Sequence, residues 1–111
     1  GIAVAPVTDW RFYDTIYTER FMRTPQENPD GYKASSVLEV AHNLRGKLLL
    51  IHGSADDNVH VQNAMDFAEL LVQRDLPFDM ALYTDKNHSI YGGKTRDHLF
   101  KKMISYLQTN L

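Results

Sequence analysis

The sequence predicts an α/β fold in which parallel strands alternate with helices, and three observations carry that prediction. Leu48-Leu49-Leu50-Ile51 is a run of four aliphatics closed by His52-Gly53, the pattern of a strand covered on both faces. Val61, Ala64, Met65, Ala68, Leu71 and Val72 then recur at helical spacing, before a second strand-like stretch, Phe78–Tyr83. The whole order reads strand, helices, strand, helix, strand, helix, which implies crossover connections and a parallel sheet.

Each element follows from its local chemistry. Ile2-Ala3-Val4-Ala5-Pro6-Val7 is an apolar run closed by proline, read as a buried parallel strand. Thr8 and Asp9 are helix-cap candidates. Trp10, Tyr13, Tyr17 and Phe21 follow at helical steps, with Phe12 and Ile16 widening the apolar arc. Pro25 to Gly31 is a turn-rich connector, too short for a domain linker. Ser35 or Ser36 is expected to cap a short helix with Val37, Leu38, Val40, Ala41 and Leu44 on its apolar face, ended by Gly46 in a left-handed cap. Lys47–Gly53 is the clearest buried strand. Ser54 to Asn58 form a polar loop, and the Val61–Val72 periodicity predicts a helix of about 14 residues. Leu76-Pro77 stops that helix, and Phe78–Tyr83 alternates as a strand does. Asp85 to Gly93 is a second polar loop. Leu99, Phe100, Met103, Tyr106 and Leu107 make a last amphipathic helix, with Lys101-Lys102 on its solvated face.

The chain has 111 residues, enough for one domain or part of one. Its 43% apolar and 23% charged residues are ordinary globular proportions. A net charge of -2 carries no electrostatic footprint for nucleic acid or an anionic membrane. The apolar runs are too short to span a bilayer. With no cysteine, disulfides, cysteine-based zinc sites and a thiol nucleophile are excluded. The chain begins at Gly1 on an apolar run, without a targeting segment. Three strands leave open sheet edges. Both features lead to the expectation of a piece of a larger sheet, and the open edges to that of self-association.

Ligands of open α/β sheets bind beyond the carboxyl ends of the strands. Two polar loops lie there: one with Asp56, Asp57, Asn58 and His60, the other with Asp85, Asn87 and His88. An acid after one strand and a histidine after the next converge at one rim, the second half of a Ser-His-acid arrangement. His88 lies 32 residues after Asp56, room for one helix and one strand. No Gly-x-Ser-x-Gly elbow accompanies Ser35, Ser36, Ser54, Ser89 or Ser105, so a nucleophile is expected upstream of Gly1. By spacing alone Asp56 reads first as a cap, His88 as a surface histidine, Trp10, Tyr13 and Tyr17 as core, and His52 as a hydrogen-bonded structural residue. His60 and His98 lack tight metal-ligand spacing with Asp56 or Asp57. A flavodoxin-like or receiver-like module is disfavoured, because it needs an acidic pair on an earlier strand.

Longer strings decide among these readings. Gly1–Val7, Trp10 and Tyr13-Asp14-Thr15-Ile16-Tyr17-Thr18-Glu19-Arg20-Phe21-Met22 resemble the dipeptidyl peptidase IV family, of the prolyl oligopeptidase clan of serine peptidases. So do Leu50-Ile51-His52-Gly53-Ser54-Ala55-Asp56-Asp57-Asn58-Val59-His60 and Tyr83-Thr84-Asp85-Lys86-Asn87-His88-Ser89-Ile90. The resemblance runs in register over the chain. It implies the C-terminal portion of an α/β-hydrolase catalytic domain, with residues 1–111 lacking the nucleophile elbow and the β-propeller. It implies that Asp56 is the triad acid and His88 the base, and that Asn58 bonds a substrate carbonyl. Val7, Trp10, Tyr13, Tyr17 and Val59 match the wall of a proline-accepting pocket. Ser89 stands where the family usually has glycine. The implied activity is release of Xaa-Pro or Xaa-Ala dipeptides from peptide N-termini, with no cofactor or metal. The implied setting is a periplasmic, secreted or membrane-anchored parent. A catalytically dead homologue, or a non-enzymatic α/β interaction module, is the alternative.

Overall fold

A computed structural model describes residues 1–111. Three parallel strands form one sheet in the order β1 (Ile2–Val4), β2 (Leu49–Gly53), β3 (Asp79–Tyr83). Ile2 pairs with Leu49 and Val4 with Ile51, while Leu49 pairs with Asp79 and Gly53 with Tyr83. β2 is central, and Leu49, Leu50 and Ile51 are completely buried, as a run of consecutive aliphatics requires.

The alternation of β2 divides the core. Leu50 points to a cluster with Ala41, Phe67, Ala68 and Leu71, three of them on α3 (Gln62–Gln73). Leu49 and Ile51 point the other way, to Ile90 and to Leu99, Met103 and Tyr106 of α4 (Thr95–Asn110). One helix covers each face, and the strand ends carrying the polar loops stay at a common rim.

Several expected boundaries shift. β1 ends at Val4 rather than Val7, because Ala5 turns into the left-handed region at φ 49°. The Trp10–Phe21 stretch is two pieces: a 3₁₀ turn at Trp10–Phe12, capped by Asp9, and α1 (Thr15–Met22), capped by Asp14. Thr8 is not a cap. It is buried, and its Oγ1 donates to Asn63 O at 2.7 Å while its N–H donates to Asn63 Oδ1 at 3.0 Å. Within the expected connector lies the start of α2 (Pro29–Ser35), with Asn28 as cap and proline in the first turn, a favourable helix start. The expected short helix is Val37–Asn43, of the 3₁₀ kind and long for its type. Ser36 does not cap it by hydrogen bond, since its Oγ donates to Asp9 Oδ2 at 2.8 Å. Gly46 is left-handed, at φ 80°, but it serves the turn into β2 beyond the end of that helix. The final helix extends on both sides of the Leu99–Leu107 periodicity. No helix is long and apolar enough to cross a membrane.

Candidate active site

The loop after β2 folds around one carboxylate. Asp56 Oδ1 accepts the backbone N–H groups of Asn58 at 2.9 Å and Val59 at 2.8 Å. This is the turn-capping habit of aspartate, made within its own loop and not at the start of α3. The other oxygen, Oδ2, lies 2.8 Å from Nδ1 of His88. The Asp56 side chain is 0% exposed, while that of His88 is 42% exposed. Burial pushes the Asp56 carboxyl up. The hydrogen bond to His88, the two backbone N–H groups and the charge His88 can carry outweigh it, so the group lies below the usual carboxylate range. The acid is thus buried and ionised, and its partner ring reaches solvent.

The His88 loop is pressed onto β2. Ala55 N–H donates to Lys86 O at 3.0 Å, and Asp85 N–H donates to Ser54 Oγ at 2.8 Å. A Cβ at Gly53 would collide with the carbonyl oxygens of Lys86 and Asn87, so only glycine permits this approach. Beyond His88, Ile90 is buried between β2 and α4 with φ 46°, an uncommon state for a β-branched residue. Ser89 has a negative φ, so the backbone does not require glycine there.

The loop after β1 approaches the same rim. Tyr13 O–H donates to Asn58 Oδ1 at 2.6 Å. With that oxygen occupied, the Asn58 amide presents its NH₂ as the free donor. Trp10, Tyr13, Tyr17 and Phe21 form a ladder of ring pairs, with successive centroids 5.7, 5.5 and 5.2 Å apart. Their helical spacing survives the break in the helix, but Tyr17 and Phe21 are exposed rather than core. Trp10, Tyr17, Thr18, Phe21 and Met22 line an apolar groove. A neighbouring groove is lined by Tyr13, Asp56, Asn58 and His60 among others. Val7 is half-buried in the loop after β1, and Val59 is buried in the Asp56 turn; neither lines these two grooves.

Two supports go beyond the sequence pattern, which offered Asp9 only as a cap and gave no signal for Asn63. Asp9, fully buried, takes Arg11 in a two-point ion pair at 2.9 and 2.6 Å. Burial raises its carboxyl, and the bonds from Arg11 and Ser36 reverse that, leaving it below the usual range. Asn63, also buried, ties Thr8 to α3 and its amide nitrogen to His60 O, fixing the aromatic loop against the Asp56 loop. Of the remaining acids and histidines, Asp57 is exposed and makes no side-chain hydrogen bond. His60 Nδ1 accepts from Gln62 N–H, and His98 Nδ1 lies 2.7 Å from Tyr83 Oη.

A parallel sheet with helices on both faces, with acid and histidine on the loops after consecutive strands, is the arrangement of an α/β-hydrolase fold. The family description that matches residues 1–111 is the prolyl oligopeptidase family. The chain belongs to that family. It is 49% identical over 109 residues to a probable dipeptidyl-aminopeptidase B of Neurospora crassa, covering 96% of this chain and 12% of that protein. It is 45% identical over 109 residues to the Aspergillus oryzae counterpart, with the same coverage. Among solved structures, Porphyromonas gingivalis dipeptidyl peptidase 4 superposes with a TM-score of 0.98 at 67% identity, over 100% of this chain and 16% of that one. A putative dipeptidyl aminopeptidase IV from Bacteroides ovatus superposes with a TM-score of 0.95 at 37% identity, over 100% of this chain and 16% of that one.

Proposed function

We propose that the chain is the C-terminal part of the catalytic domain of a serine dipeptidyl peptidase that releases Xaa-Pro or Xaa-Ala from peptide N-termini. Asp56 and His88 serve as acid and base, and the nucleophilic serine comes from outside residues 1–111. The observation that carries this reading is the 2.8 Å contact between Asp56 Oδ2 and His88 Nδ1 at the carboxyl rim of the sheet.

In this reading the ionised Asp56 keeps the proton of His88 on Nδ1, so Nε2 is free to act as base. Nε2 takes the serine hydroxyl proton as the oxygen attacks the scissile carbonyl. It returns that proton to the leaving amine when the peptide bond breaks. Water then attacks the acyl-enzyme by the same route, releasing the dipeptide and restoring the serine. The Asn58 NH₂ donates to a substrate backbone carbonyl. The aromatic surface of Trp10, Tyr13 and Tyr17 buries a proline ring or a small alanine side chain.

The test compares the complete polypeptide with the isolated 111 residues on an Xaa-Pro amide. The complete protein is expected to turn over and to be silenced by a serine-directed reagent, and the isolated chain to be inert. Reagent-sensitive turnover by the isolated chain would refute the division of the site.

A further inference from the structure

His52 occupies the fourth position of β2 and is completely buried. Its Nε2 lies 2.7 Å from Val59 O and 3.3 Å from Asp56 Oδ2. Its Nδ1 is sealed from solvent and has no hydrogen-bond partner. A carbonyl oxygen only accepts, so Nε2 bears a proton, and in the neutral ring Nδ1 then carries a bare lone pair. Burying an unpaired lone pair costs free energy that an apolar side chain of the same size would not. Packing alone therefore does not account for an imidazole at this position.

The Nε2–H group is placed to act on the acid. Val59 is held on both sides: its N–H donates to Asp56 Oδ1, and its carbonyl accepts from His52. The Asp56 turn is thereby anchored to the central strand of the sheet. Oδ2 of the same carboxylate lies between two imidazoles, His88 at 2.8 Å and His52 at 3.3 Å. We propose that His52 is a positioning residue for the Asp56–His88 pair: its Nε2–H, bonded to Val59 and set beside Oδ2, holds the carboxylate where it meets His88. The proposal rests on the reading of Asp56 and His88 as acid and base.

Glutamine and asparagine separate the two ring nitrogens, because a glutamine amide reaches the place of Nε2 and an asparagine amide that of Nδ1. Steady-state kinetics are measured on the complete polypeptide with His52→Gln, His52→Asn and His52→Leu, with Asp56→Asn alongside and thermal midpoints recorded for all. His52→Asn and His52→Leu are expected to lower kcat by up to about 100-fold with KM little changed, the scale of a small misplacement of a catalytic group. His52→Gln is expected to retain most of kcat at a thermal midpoint no higher than that of His52→Asn, an order that a purely structural role would not produce. Equal kcat losses in His52→Gln and His52→Asn, or a wild-type kcat in His52→Asn, would overturn the proposal. The ¹⁵N shifts of His52 in the unsubstituted protein provide a test that needs no variant to fold. An Nε2–H ring is expected, and an Nδ1–H ring would overturn the proposal. If Asp56→Asn keeps full activity, the acid–base reading itself fails; if it is inactive while His52→Asn is not, only the role of His52 fails.

Discussion

Replacing Asp56 by asparagine removes one charge and turns one of two oxygens into a donor, and the structure decides which. Two backbone N–H groups, from Asn58 and Val59, point at Oδ1. The amide keeps its oxygen there and turns its NH₂ toward His88. Nδ1 of His88 must then accept, so the ring proton moves to Nε2, and a protonated Nε2 cannot take a proton from serine. The buried site offers no water to repair the mismatch, because the side chain is 0% exposed. The loss expected for a wrong tautomer of this kind is on the order of 10⁴-fold in kcat. At about 1.4 kcal/mol per tenfold step, that is roughly 5.5 kcal/mol of transition-state stabilisation. Folding suffers less, since the backbone bonds to Oδ1 persist and one charged hydrogen bond is lost, about 1.5–3 kcal/mol. Asp57 is the internal control: it is exposed and bonds nothing, so Asp57→Asn is expected within about 0.5 kcal/mol of wild type in stability. The assay is turnover of an Xaa-Pro amide by the complete protein, with circular dichroism to confirm folding. Similar, mild effects of Asp56→Asn and Asp57→Asn would refute the reasoning and leave His88 without its partner.

Further outcomes are expected. Gly53→Ala forces a methyl group against the Lys86 and Asn87 carbonyls, and overpacking of this kind costs about 1–3 kcal/mol. Because the displaced loop carries His88, kcat should fall with the thermal midpoint; a variant with both unchanged would disprove the close approach. Asp9 and Asp56 are both held below the usual carboxylate range, so the unfolded chain binds protons there more readily than the folded one. Their contribution is complete above the ordinary carboxylate value and is lost as pH falls through the folded values. Denaturant midpoints should drop at the acid end, and less steeply in Asp56→Asn; parallel acid limbs would contradict this. The isolated chain is expected to self-associate, because β1 and β3 are sheet edges and Phe100, Ile104 and Leu107 are exposed on α4. Light scattering showing a monomer at high concentration would count against it.

The alternating strands and helices, the parallel sheet and the completely buried β2 were legible because periodicity and runs of aliphatics report burial directly. The strings around Asp56 and His88 were legible as a resemblance, carried by the residue types and their order in the two polar loops. Helix type and ends were less so. Ala5 leaves the strand and Tyr13 interrupts the aromatic helix in a loop that the Thr8–Asn63 bonds tie to α3. Those partners lie 55 residues apart in the chain, so local pattern cannot reveal them. The same holds for His52 and Gly53. One reads as a strand residue and the other as a turn glycine, until the fold brings the Asp56 turn and the His88 loop against them. Sequence determines which residues are buried and which chemistry is on offer. The placement that sets one carboxylate against His88 and leaves its neighbour exposed to solvent arises only when three loops are packed on one rim.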